Sequence, residues 1–342
     1  MREAISYDDV LLVPKYSDIS SRLQIDIGGE LFEDFHLKIP IISSPMDTVT
    51  EEDMSLAMFN HGGLGIIHRY NDIATQVRIA AKVLYENDDA RVGAAVGMTG
   101  DYEERALALK MVGVGVLCVD VAHGHHSMME GCLKTLKDRL GSEIHIMAGN
   151  VATLEGFDAL ASWGADSIRV GIGGGSICST RLVSGHGMPT MQSVLDCAKS
   201  EYDVKIIADG GIKTSGDIVK SLAAGADFVM IGSLLAGTHE APGDVFTANT
   251  GKKYKVYRGM ASAEAQKDWR GKSSAAEGVS TTIPYRGPVA EVLSNLAGGI
   301  RSGLSYSGAK NLQEFRNKAT MIRQTDSGRL ESSAHILKRK NQ

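Results

Sequence analysis

The sequence predicts an α/β fold, a (β/α)8 TIM barrel with a C-terminal flap and tail. Three observations carry that prediction: eight short apolar runs, helix-length stretches between them, and a sharp polar asymmetry between the two ends of the runs. Runs of strand length that are apolar throughout, rather than alternating, belong to a parallel sheet buried on both faces. Eight of them, each followed by a helix, favour a closed barrel over an open doubly wound sheet. No GxGxxG follows the first run, which also argues against the open sheet.

In chain order the runs are IPIISS (39–44), GLGIIH (63–68), VGAAVG (92–97), VGVLCVDV (114–121), IHIMAGN (144–150), SIRVGI (167–172), KIIAD (205–209) and FVMIG (228–232). Helix periodicity falls between them at 51–61, 101–111, 126–140, 153–162, 190–200 and 214–224. The C-terminal ends of the runs read SSPMDT, IHRY, VGMTGD, DVAHGHH, AGNVAT, GIGGGSICSTR, ADGGIKTSGD and IGSLLAGTHEAPG. They are far richer in Gly, Ser, Asp, His and Asn than the opposite turns, as the active face of a barrel requires. Beyond residue 250, NTGKKYKVYRGMAS reads as a hairpin, and about 261–283 as a mobile flap of low apolar periodicity. PVAEVLSNLAGGIRSGLSYSG returns to helix, and about 325–342 forms a C-terminal segment ending in the basic tail ILKRKNQ. The expected organisation is one barrel domain over 1–342.

Composition bounds the function. With 342 residues, 43% hydrophobic, 23% charged and a net charge of -5, the chain gives no reason to expect nucleic acid or a membrane as partner. No signal peptide is visible, and the four cysteines form no CxxC pair, so a reducing cytoplasm is the expected setting. Cys118 and Cys197 sit in apolar patterns and read as core residues, whereas Cys178 stands in a glycine-rich loop.

The loops after the seventh and eighth runs are where many barrels hold a phosphate. Here Gly210, Gly211, Gly232 and Ser233 offer amides and a hydroxyl, and Ser176 adds another from the Cys178 loop. Asp209 ends the seventh run, where a carboxylate would accept both hydroxyls of a ribose diol; Thr214 and Ser215 are better placed than Asp209 to cap the following helix. Cys178, among backbone amides and close to Arg181, reads as a nucleophile. From the residues alone the argument reaches a cysteine-dependent enzyme acting on a phosphorylated ribose compound. A flavin-binding barrel and a non-catalytic nucleotide binder remain the rival readings.

These motifs resemble the inosine-monophosphate dehydrogenase / guanosine-monophosphate reductase family, from SYDDVLLVPKYS to SGRLESSAH, through SSPMDTVTE, GLGIIHRY, DVAHGHH, AGNVAT, GSICSTR, ADGGIKTSGD, YRGM and IPYRGPV. The resemblance implies a covalent adduct between Cys178 and purine C2, with hydride transfer between that carbon and a nicotinamide. It assigns phosphate contacts to Ser176, Gly211, Gly232, Ser233 and Tyr257, the ribose to Asp209, and base contacts to Gly259, Met260 and Glu277, with Met46 near the purine. Asp120, Asn150 and Gly171 match the nicotinamide side. Carbonyls of Gly173, Gly175 and Cys178 match a potassium site, put in doubt by Gly174 where the family usually has proline. Ser179 in place of threonine is a milder departure.

Two branches are open. The regulatory insertion typical of the dehydrogenases is absent between the second and third runs, and the short flap GMASAEAQKDWRGKSSAAEG has no Arg-Tyr pair to activate water. Its nearest counterpart is Trp269–Arg270, in reversed order. The resemblance therefore points to a GMP reductase that uses NADPH to turn GMP into IMP and ammonia, with Cys178, Thr180 and Glu277 catalytic. The alternative is an NAD-dependent IMP dehydrogenase, to which TDSGRLESSAH and GSLLAGTHEAPG lean. A homotetramer or octamer working in purine salvage is the further implication.

Overall fold

The structure is a computed structural model that describes residues 2–87 and 89–332. The basic end ILKRKNQ, and with it most of the expected tail, lies outside the described residues.

Eight parallel strands close into a barrel. They are β1 (Ile41–Ser43), β2 (Leu64–Ile67), β3 (Gly93–Val96), β4 (Val116–Asp120), β5 (His145–Val151), β6 (Ser167–Val170), β7 (Lys205–Asp209) and β8 (Phe228–Ile231), with β8 pairing back onto β1. Every expected run is a strand, most of them trimmed at the ends; β7 keeps its full length and β5 runs one residue further, to Val151. Along each strand the side chains alternate between two apolar environments. Ile42, Leu64, Ile66, Ala95, Val116, Cys118, Met147, Ile207, Phe228 and Met230 fill the barrel, while their neighbours pack outward against helices. Burial on both faces is the reason the strands read as unbroken apolar runs. The hairpin of Gly29–Phe32 and Phe35–Leu37 plugs the N-terminal end, inserting Leu31, Phe35 and Leu37 into the inner cluster.

The helices are α1 (Glu52–Asn60), α2 (Ile73–Glu86), α3 (Tyr102–Val112), α4 (Ser127–Leu140), α5 (Leu154–Ser162), α6 (Thr190–Cys197), α7 (Ser215–Ala223) and α8 (Val289–Tyr306). Their starts follow local chemistry: Asp72, Thr153 and Thr214 each accept a first-turn amide, and Thr214 forms a reciprocal box with Asp217. Asp209 takes no part in capping α7, as the sequence implied. The eighth helix arrives late. Between β8 and α8 the chain makes a three-stranded antiparallel sheet of Phe246–Thr247, Lys253–Arg258 and Ser280–Pro284. It then returns to pack α8 against α7 and α1.

The segment 261–283 is not without regular structure: it holds a helix, Ala263–Arg270, and its end forms the third strand of that sheet. Ser262 caps the helix by accepting the Ala265 amide, and Gly271 ends it in the left-handed conformation. Helix Ala263–Arg270 buries only Ala265, so it lacks the apolar stripe that a periodicity reading looks for.

Lys255, in the middle strand, is buried with its ammonium donating to the carbonyls of Thr238, His239 and Ala241. Burial pushes its pKa down, and the three acceptors replace the lost water. That contact ties the flap sheet to the loop after β8.

Candidate functional site

A cavity of about 520 Å³ opens at the C-terminal end of the barrel. Residues at or just beyond the C-terminal ends of all eight strands line it, and the flap covers one side. All the site residues read from the sequence line this one cavity: Met46, Asp120, Asn150, Gly171, Gly173, Gly175, Ser176, Cys178, Thr180, Asp209, Gly211, Gly232, Ser233, Tyr257, Gly259, Met260 and Glu277. Cys118, Cys132 and Cys197 are buried, and Cys178 is the exposed thiol.

The loop after β6 carries Cys178 and lies against the end of β7. A Cβ on Gly171 would stand 1.9 Å from the Asp209 carbonyl oxygen, and one on Gly210 would stand 3.2 Å from the Gly175 amide. Only glycine lets the two backbones approach so closely. Burial pushes the Tyr257 pKa up, with the neighbouring Ser176 side chain opposing. The Tyr257 hydroxyl also lies 3.4 Å from where a Gly232 Cβ would stand, beside Met46 and Ser44. Hydroxyls and loop amides thus converge from three separate parts of the chain, the composition of an anion cradle.

The thiol has a defined neighbour. Cys178 Sγ lies 3.2 Å from Thr180 Oγ1. The flap returns to this loop by backbone pairing: Ser179 N donates to the Glu277 carbonyl at 2.9 Å, and Val279 N to the Ile177 carbonyl at 3.0 Å. Residues 277–279 therefore run as an antiparallel partner of 177–179, with Gly278 opposite Cys178 and Glu277 opposite Ser179, which brings Glu277 into the cavity lined by Cys178 and Thr180 across a separation of about a hundred residues.

On the floor, Arg169 bridges two carboxylates. Its NH1 donates to Asp120 Oδ1, and its Nε and NH2 donate to Asp209 Oδ2 at 3.2 and 2.9 Å. Asn150 Nδ2 donates to the same Asp209 oxygen at 2.9 Å and to the Gly171 carbonyl at 2.8 Å. Burial works against the Arg169 charge, yet its pKa is raised. Cys118, 3.4 Å away, is pushed up to about 12 by burial and is a neutral thiol there, so the two carboxylates hold the charge. Asn150 Oδ1 is buried without a hydrogen-bond partner, an acceptor that a ligand amide would satisfy.

The sequence reading did not single out Arg169, Arg69, Tyr70 or Gln266, which line the same cavity. A signal for Arg169 existed: a cation inside an otherwise apolar strand cannot stay buried without carboxylates nearby. Tyr70 and Trp269 stack with centroids 5.6 Å apart, and Arg258 pairs with both Asp47 and Asp268. These contacts fasten the flap helix to the loops after β2 and β1.

The potassium site fits poorly. The Gly175 carbonyl accepts the Cys178 amide. A Cβ on Gly173 would stand 3.0 Å from Arg181 Nε, so a guanidinium already occupies that side of the loop. Gly174 is explained by packing, since a Cβ there would lie 2.6 Å from Thr190 Oγ1.

Residues 4–335 match the family described as IMP dehydrogenase / GMP reductase domain. The chain is 34% identical to inosine-5'-monophosphate dehydrogenase of Nitrosopumilus maritimus, over 98% of each chain, and 37% identical to that of Cryptosporidium parvum, over 97% of this chain and 95% of the other. It is 32% identical to GMP reductase of Leishmania major, over 97% of each chain. The alignment with the Nitrosopumilus enzyme runs over 470 positions, so that relative carries sequence that this chain of 342 residues lacks. Among solved structures, the fold superimposes with a TM-score of 0.92, at 31% identity and 98% coverage of each chain, on a GMP reductase variant of Trypanosoma brucei in complex with guanosine 5'-monophosphate.

Proposed function

The chain belongs to the IMP dehydrogenase / GMP reductase family, whose members are oxidoreductases that use a nicotinamide cofactor, and from that premise we propose that it is a GMP reductase, converting GMP to IMP and ammonia at the expense of NADPH. One observation supports the choice of branch: the short flap pairs with the cysteine loop, so that Glu277 lines the same cavity as Cys178 and Thr180. Two flap residues are engaged elsewhere, Trp269 on Tyr70 and Asp268 on Arg258, and the flap itself holds no Arg-Tyr pair to activate a water.

In this reading the nucleotide phosphate lies among Ser176, Gly211, Gly232, Ser233 and Tyr257, and its ribose diol donates to Asp209. Met46, Gly259 and Met260 border the base. The Cys178 thiolate adds to purine C2. Thr180 and Glu277 carry protons to the exocyclic nitrogen, the C2–N bond breaks and ammonia leaves. A purine joined to sulfur at C2 remains. The reduced nicotinamide, when bound, supplies a hydride to that carbon; the C–S bond then breaks, returning the thiolate and releasing IMP. Asp120, Asn150 and Gly171 fit the nicotinamide, because the unpaired Asn150 Oδ1 is an acceptor for a carboxamide N–H. With Arg181 beside Gly173, no step is routed through a potassium ion.

The test follows nicotinamide absorbance. GMP with NADPH should consume the cofactor and release ammonia in equal amounts, and Cys178→Ala should end turnover while GMP still binds. Formation of NADH from IMP and NAD, with no reaction of GMP, would assign the chain to the dehydrogenase branch instead.

A further inference from the structure

Arg169 sits where the two halves of the cavity meet. It projects from β6 into the top layer of the barrel, with Cys118 beside it, and it is 6% exposed. One guanidinium serves both carboxylates, through NH1 to Asp120 and through Nε and NH2 to Asp209. On each carboxylate the protein uses a single oxygen. Arg169 and Asn150 all donate to Asp209 Oδ2, and Arg169 donates to Asp120 Oδ1. Among the described residues no donor is directed to Asp209 Oδ1 or Asp120 Oδ2. Both residues line the cavity, so each presents one unused acceptor to a ligand.

Stability does not account for this arrangement. Two carboxylates around one buried guanidinium leave an excess negative charge, and apolar residues of the same volume would serve a barrel core as well or better. Arg169 is the only charged residue within its strand, whose other members are Ser167, Ile168 and Val170. A planar fork with several donors is also the cationic group that can span two acceptors in fixed geometry, which an ammonium cannot do.

Resting on the functional reading above, we infer that Arg169 is a positioning residue that couples the two ligand sites: it orients Asp209 for the nucleotide ribose and Asp120 for the dinucleotide, and so sets their separation. A disturbance at one carboxylate is then felt at the other, although they do not bond to each other. Each orienting contact is a charge-assisted hydrogen bond, and loss of one on either side should weaken that ligand by about tenfold.

Calorimetric binding of GMP and of NADPH, each titrated alone, tests this. Arg169→Lys keeps the charge but reaches one carboxylate only, and it should weaken at least one ligand by about tenfold and the other measurably, with a lowered kcat. Asp120→Asn leaves Arg169 in place and tests the coupling in a chain that keeps its core. It should weaken GMP, a ligand this residue does not touch, by about fivefold, because the NH1 anchor loses the carboxylate charge that fixes it. The inference is overturned if Asp120→Asn leaves GMP affinity unchanged, or if Arg169→Lys folds and binds both ligands like the wild type. A wild-type protein that binds neither ligand would overturn the functional reading and this inference together.

Discussion

At the scale of single residues, the site depends on atoms that are missing as much as on those present. Gly171 has φ 146° and no room for a side chain, because the Asp209 carbonyl oxygen lies 1.9 Å from the Cβ position. Gly171→Ala must push the cysteine loop away from the end of β7, disturbing the Cys178 and Asp209 sides of the cavity together. We expect turnover and GMP binding to be lost, with a stability cost of about 1–3 kcal/mol. Gly131, exposed in α4 with nothing within 4 Å of its Cβ position, is the control, and Gly131→Ala should stabilise by about 1 kcal/mol. Thermal melts and binding titrations of the two variants separate site damage from a general glycine effect. That Cys178 and Asp209 line the cavity was legible in the runs that carry them, while Thr180 and Glu277 entered through the family resemblance. Arg169 was hidden in an apolar one, since its partners come from β4 and β7, at Asp120 and Asp209, and no local pattern records such distant neighbours.

At the scale of elements, all eight strands were legible because burial on both faces writes itself as continuous apolar sequence. The flap helix was not. Ala263–Arg270 buries one residue, and its stability comes from helix-forming residues, the Ser262 cap and the Gly271 stop, none of which has a period. Its position over the cavity comes from two contacts, the Trp269–Tyr70 stack and the Arg258–Asp268 pair. An aromatic stack contributes about 0.5–1.5 kcal/mol beyond its buried area. Trp269→Ala should therefore free the flap helix and raise KM for the dinucleotide by roughly two- to tenfold. The pairing of 277–279 with 177–179 is backbone to backbone, so bond-making at Cys178 should continue. Steady-state constants, with single-turnover rates of thiol modification by an alkylating agent, distinguish the two effects. An equal fall in both would mean that the helix supports the cysteine loop directly.

At the scale of the whole molecule, the barrel divides its duties between its two ends. The C-terminal end is polar, open and loop-built, whereas the N-terminal end is closed by the hairpin of Gly29–Phe32 and Phe35–Leu37 over a buried histidine at the start of β5. His145 is 4% exposed, with Nε2 2.8 Å from Ser167 Oγ and its ring stacked on Phe32 at 4.9 Å between centroids. Burial pushes its pKa down to about 4, from 6.5. Between those values the unfolded chain takes up a proton at this position that the folded chain refuses, so the folded state loses stability as the pH falls. The loss from His145 alone approaches 3 kcal/mol by about pH 4. His145→Phe keeps a ring against Phe32 and removes the titration, while leaving the Ser167 hydroxyl without its partner. The variant should melt lower than the wild type near neutral pH, yet lose less between about pH 6.5 and about pH 4, so that the two curves converge on acidification. Parallel curves of melting temperature against pH would place the acid sensitivity elsewhere, among carboxylates whose pKa values are lowered in the fold, such as Asp9, which accepts from the Ser6 amide and hydroxyl, and Asp196, which pairs with Arg2 and Lys199.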